Sequence, residues 1–109
     1  MAYDEDVADR IREALSGEVV REQRMFGGLS FMVHEKMVAA LNGDRVLLRC
    51  AAERAEELIE DEGADPAMMR GKEMAKGWIE VDLSRFGSAE DTGFWITAAL
   101  DHNRAVTGN

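Results

Sequence analysis

The sequence is poor in the residues that usually announce a mechanism or a compartment. Its one cysteine, Cys50, rules out an internal disulfide and suits a reducing environment. Its one proline is Pro66, and no apolar run approaches the ~20 residues a membrane-spanning helix needs. There is no CxxC, HxxxH or HExxH spacing from which a zinc site is usually built, and the only histidines are His34 and His102. The Gly27-Gly28 pair lacks both the helix start and the Lys-Ser/Thr of a phosphate-binding loop. Positive charge is also scarce, with 13 Lys and Arg against 22 Asp and Glu, a net charge of -9. Such a surface repels a phosphate backbone unless its bases cluster. Here they gather only loosely, at Arg21 with Arg24 and at Arg70, Lys72 and Lys76. The expectation is therefore no metal, no cofactor, no membrane and no direct nucleic-acid contact. The acidic start MAYDEDVADR is unlike a secretory signal, so a cytoplasmic location is expected.

What remains is the composition of one globular domain, residues 1–109, with 46% hydrophobic and 32% charged side chains. Val7, Ile11 and Leu15 recur every four residues, which predicts a first helix with Asp4 as N-cap and Gly17 as its stop. The stretch AAERAEELIEDEGAD carries seven carboxylates against the lone Arg54. It reads as a second helix from about Ala51 to Gly63, with Ala55, Leu58 and Ile59 inward. Its acidic side is a solvated face or, less simply, a dock for a basic partner.

The segment RMFGGLSFMV raises a structural question, because two glycines interrupt what otherwise reads as a strand. A hairpin turn centred on Gly27-Gly28 would place Glu22 and Arg24 on one sheet face with Leu29, Phe31 and Val33, which is a poor core. A strand running straight through places Met25, Gly27, Leu29, Phe31 and Val33 on one face and Arg24, Phe26, Gly28, Ser30, Met32 and His34 on the other. The expectation is one long strand bent at Gly27 and Gly28, where a small residue lets the chain twist or another backbone come close. A turn at His34 to Lys36, the strand MVAAL, an Asn42-Gly43 hairpin and the strand RVLLRC complete a three-stranded meander from Glu22 to Cys50. Beyond the second helix come a loop with a short strand near Glu73 to Ala75 and the strand WIEVDL. A last helix follows from about Ala89 to Arg104, capped by Ser88 with Asp91 three residues on. That helix carries more apolar surface than one core-facing stripe uses. The order α-β-β-β-α-β-β-α implies a two-layer α+β fold, an antiparallel sheet with helices on one face.

The residues RMFGGLSFMVHEKMVAAL resemble the entry motif of the TfoX N-terminal domain family. The likeness continues through RVLLRC, Gly71-Lys72 with Met74, and the tryptophans Trp78 and Trp95. It implies a fold similar to that of type III secretion chaperones. Longer relatives regulate natural competence with the cyclic-AMP receptor protein and carry a second, C-terminal domain; the match here is to the first alone, so a single-domain member is expected.

No residue set amounts to a catalytic signature. Cys50 alternates with Val46 and Leu48 and reads as a core side chain, although Arg49 beside it would favour a thiolate. Arg24 is either a surface arginine paired with a carboxylate or, with Phe26, Met32 and Lys72, a contact for an anion or a partner peptide. Met68 and Met69, if exposed beside Trp78, would add an adaptable association patch. The function expected is a non-enzymatic protein-interaction module with a protein partner, a second copy joined as a homodimer through sheet or last-helix surfaces being one such partner. The alternatives are a competence or transcription regulator that touches a DNA-bound protein, and a small-molecule enzyme using Cys50 or Arg24.

Overall fold

A computed structural model describes residues 3–25, 27–69 and 71–108, with the side chains of Met25 and Met69 also left undescribed. Helix α1, Glu5–Ala14, starts where expected: the Asp4 carboxylate accepts from the backbone N–H groups of Asp6 and Val7 at 2.9 and 3.1 Å. It is followed by strands β1 (Val20–Met25), β2 (Gly28–Val33), β3 (Lys36–Asn42) and β4 (Arg45–Arg49). Helix α2, Ala52–Glu62, ends at Gly63 in the left-handed conformation. Three two-residue strands come next: β5 (Asp65–Pro66), β6 (Met68–Met69) and β7 (Lys72–Glu73). Strand β8 (Trp78–Asp82), a 3-10 turn (Leu83–Phe86) and helix α3 (Ala89–Thr107) complete the chain. The main sheet is antiparallel with strand order β1-β2-β3-β4-β8-β5, and β6 and β7 form a separate hairpin.

The expected long bent strand is a hairpin instead. Met25 pairs with Gly28, Arg24 with Leu29 and Glu22 with Phe31, so the chain reverses where the strand was expected to run on. The two glycines have different tasks. Gly27 holds φ at +77°, a value that L side chains tolerate poorly. Gly28 is buried at the start of β2, where a methyl group would overlap the carbonyl oxygen of Leu41 on β3. The expected close approach of another backbone is therefore real, while the bend is not. The meander accordingly has four strands rather than three, starting at Val20.

The objection to a hairpin was that it turns Glu22 and Arg24 toward the core face. The structure meets it by making β1 an edge strand. Glu22 accepts two hydrogen bonds from Arg12 of α1, at 2.7 and 2.9 Å, so an ion pair closes the rim of the core there. Only β2 needed to supply apolar side chains, and Leu29, Phe31 and Val33 are all buried.

The second hairpin is also displaced. Asn42 pairs with Arg45, so Gly43 and Asp44 form the turn, not Asn42 and Gly43. Between β2 and β3 the turn residues His34 and Glu35 have φ of 52° and 64°, positive at both, as a two-residue turn matching the strand twist requires. A register shift after Phe31 leaves Val38 as an extra residue, which is why Val38 and Ala39 are buried in succession.

The core lies between one sheet face and the three helices. Leu41, Val46, Leu48, Ile79 and Val81 meet Ile11, Leu58, Trp95 and Ile96 there. The wide apolar surface of α3 is largely consumed inside the molecule, because α3 touches β3 and β4 as well as α1 and the 3-10 turn. Trp95, Ile96, Ala99 and Leu100 are buried, and Phe94 and Val106 remain exposed. Ser88 caps α3 through its hydroxyl, which accepts from the Asp91 N–H at 3.1 Å. No helix among the described residues is long and apolar enough to cross a membrane.

Candidate functional site

Among the described residues singled out in the sequence, Arg24, Met32 and Lys72 do not converge. Because Arg24 pairs with Leu29 and Arg21 with Met32, alternation puts Arg24 on the core-side face at the sheet edge and Met32 on the opposite face. Met32 is half-buried, and its sulfur lies 3.2 Å from Nη2 of Arg21. Ser30, expected on the exposed face, is buried. Lys72 is exposed on the β6–β7 hairpin, which follows β5 at the far edge of the sheet. Phe26, Arg70 and the side chain of Met69 lie outside the described residues.

Cys50 is 1% exposed and belongs to the core. Burial pushes its thiol up to about 11, outweighing the charges of Arg49 and Arg54, which act the other way. Its Sγ lies 3.5 Å from the Gly77 carbonyl oxygen. This thiol is poorly placed to act as a nucleophile. Among the described residues no group of three or more His, Cys, Asp and Glu side chains is arranged to hold a metal ion.

Two surface features are built from several elements at once. The first is the sheet face away from the helices. Half-buried Met32, Ala40 and Leu47 lie along β2, β3 and β4. Arg45 bridges Asp65 at 2.7 Å and Glu80 at 3.4 Å, and the Met68 N–H donates to Glu80 at 2.9 Å. A hollow of about 340 Å³ between these groups is lined by Leu47, Met68 and Met74 with Arg45 and Glu80. Met68 is 50% exposed. Met68 is exposed as expected, but its neighbours in this hollow are Leu47, Met74 and Glu80 rather than Trp78.

The second feature is a groove of about 340 Å³ at the end of the sheet. It is walled by the start of β3, the end of β4, the start of β8 and the last turns of α3. Arg49 donates from Nη1 to the Lys76 carbonyl oxygen at 3.0 Å, and its guanidinium stacks 5.2 Å from the centre of the Trp78 ring. Gly77 makes this possible, since a side chain there would collide with Arg49 and with the Cys50 carbonyl oxygen. Among the described residues no carboxylate pairs with Lys36 or Arg49. His102 faces the same groove, and burial, reinforced by Arg49, lowers its pKa below the ordinary 6.5.

Asn103 completes that wall. It is 2% exposed and donates from Nδ2 to the Val33 carbonyl oxygen at 3.0 Å, which fixes the orientation of the amide. Its Oδ1 is buried and has no donor among the described residues. An acceptor left in that state costs about 1–3 kcal/mol, so an N–H or O–H brought to it is favoured.

Little in the sequence points to this groove. His102 reads from the sequence as part of the broad face of the last helix, and Lys36, Arg49, Trp78 and Asn103 come from four different elements, β3, β4, β8 and α3. The one available signal was a polar Asn103 in line with Ala99 on an apolar helix.

No curated protein matches the chain. A family model, TfoX N-terminal domain, matches residues 13–103, which runs from the last two residues of α1 to most of α3. This extent agrees with the family resemblance carried by RMFGGLSFMVHEKMVAAL, and the chain belongs to the TfoX N-terminal domain family.

Proposed function

We propose that this domain is a non-enzymatic protein-interaction module, and that it pairs with a second copy of itself through the open face of the sheet. The observation that carries the reading is the way the surface divides. The exposed acids Glu53, Glu56, Glu57, Glu60, Asp61 and Glu62 all lie on α2, and α1 adds Glu5, Asp6, Asp9 and Glu13. At a net charge of -9, two copies repel through these helices. The open face differs, because the apolar side chains of Met32, Ala40 and Leu47 are bordered by Arg21 and Arg45 as well as by Glu80 and Asp82. Both signs around an apolar centre make a self-complementary patch, as a two-fold interface requires. Pairing there also keeps the acidic helices apart. Burial of Cys50 supports the non-enzymatic half of the reading.

Sedimentation at micromolar concentration tests it. The expected species has twice the 12.1 kDa chain mass, and Leu47→Glu on the central strand β4 converts it to monomer. A wild-type monomer, or a dimer unaffected by Leu47→Glu, overturns the sheet-face arrangement.

The regulatory role of longer relatives supplies a second reading, in which the domain touches a DNA-bound regulator. The charge of -9 favours contact with the protein over contact with the DNA. Tight, salt-sensitive binding of the isolated chain to DNA contradicts both readings.

A further inference from the structure

We propose that the groove at the end of the sheet binds a small organic carboxylate that carries an apolar body and a hydrogen-bond donor beside its charge. This inference concerns the end of the sheet, where Met37, Arg49 and Trp78 of the open face meet α3, rather than the Met32, Ala40 and Leu47 centre of that face.

Three features of the groove each make a demand on an occupant. The first is charge. In a chain of net charge -9, the cations of Lys36 and Arg49 border one hollow with His102 and meet no carboxylate among the described residues. Arg49 is held in place from behind, by the Lys76 carbonyl oxygen and by the Trp78 ring. Its remaining N–H groups are a preset fork of the kind that grips a carboxylate through two oxygens.

The second demand is for a donor. Asn103 lines the groove, its amide orientation is fixed by Val33, and Oδ1 lacks a partner. Oδ1 is itself buried, so a hydroxyl or amide on the ligand answers it through one bridging water or after a small shift of the groove wall. The third is apolar bulk. Trp78, Met37 and Val106 form the remaining walls, and Val106 is 51% exposed although it is apolar. A volume of about 340 Å³ is near the low end of ligand sites, which run from roughly 300 to 1,000 Å³, so the occupant is a small molecule.

Mandelate meets all three demands and serves as the probe, titrated into the full chain and followed by NMR. Saturable shifts of the Trp78 indole N–H and the His102 ring are expected. Arg49→Gln should weaken binding about tenfold or more, with Arg49→Lys between the two. Because Arg49 also braces the Lys76–Gly77 turn, Lys36→Gln provides a second reading at an exposed strand start, and it too should weaken binding. Mandelamide, which lacks the charge, and phenylacetate, which lacks the hydroxyl, should both bind less tightly than mandelate. Several outcomes overturn the proposal: no saturable shift up to about 10 mM mandelate, mandelamide binding as well as mandelate, or unchanged affinity in Lys36→Gln. Tighter binding of phenyl phosphate than of mandelate overturns the carboxylate assignment.

Discussion

The two glycines of the first hairpin should respond differently to substitution, and the difference separates a reversal from a bent strand. Gly27 holds φ at +77°. An L residue there pays about 1–2 kcal/mol in backbone strain and recovers about 0.5–1 kcal/mol because the unfolded chain loses freedom. Gly27→Ala should therefore cost about 0.5–1 kcal/mol. Gly27→Asn should cost less, since Asn adopts this conformation more readily. At Gly28 the obstacle is the Leu41 carbonyl oxygen, a backbone atom held in the β2–β3 ladder that cannot rotate away. Gly28→Ala must push the two strands apart, and overpacking of this kind costs about 1–3 kcal/mol, here at the upper end. Asn at 28 should be no better than Ala, because both carry the offending Cβ.

Urea unfolding followed by the fluorescence of buried Trp95 gives the free energies, with unchanged slopes taken as the sign that only the folded state was affected. The predicted order is wild type, Gly27→Asn, Gly27→Ala, and then both Gly28 variants well below. If Gly28→Ala falls within about 0.5 kcal/mol of wild type, the close approach to Leu41 is wrong. If Gly27→Asn is as damaging as Gly27→Ala, the positive φ is wrong.

Three further outcomes follow from the same geometry. His34 and Glu35 occupy positive φ without being glycine, so the double change to Asn-Gly should stabilise the fold by about 1 kcal/mol even after losing the exposed Arg21–Glu35 pair; an unchanged or lower melting temperature refutes this. The hydrogen bonds from Arg12 hold Glu22 below its ordinary 4.5, so that pair contributes stability above pH 4.5 and loses it as the pH falls through the lowered value. Glu22→Gln should flatten the acid limb of the stability curve while costing under about 1 kcal/mol at pH 7, given the partial exposure of the pair; unfolding at a series of pH values would show an unaltered limb if the pair contributes nothing. Cys50, with its thiol pushed up to about 11, should resist a thiol reagent at pH 8 until the chain unfolds; rapid labelling of the native protein would show that the strand end opens locally.

The helix starts at Asp4 and Ser88, the left-handed stop at Gly63 and the alternating faces of β2, β4 and β8 were legible from the chain alone. These features are local: a cap needs one side chain within reach of its own first turn, and alternation needs one strand with one buried face. Gly27-Gly28 misled for the same reason. A continuous apolar stripe assumes that both arms bury a face, whereas β1 is an edge strand whose inward Glu22 is closed off by Arg12 on α1, outside the segment being read. The breadth of the α3 apolar surface was equally visible, but not that it packs against both the sheet and α1.

The amino-acid order thus determined the class of fold, its three helices and the strands β3, β4 and β8, because periodicity and capping act over one turn of helix or one strand. Tertiary structure alone decided the reversal at Gly27, which faces Arg24 and Met32 occupy, and the convergence of Lys36, Arg49, His102 and Asn103. Those depend on which strand lies at an edge and on how a helix crosses a sheet end, and such relations arise only when distant segments compete for the same buried space.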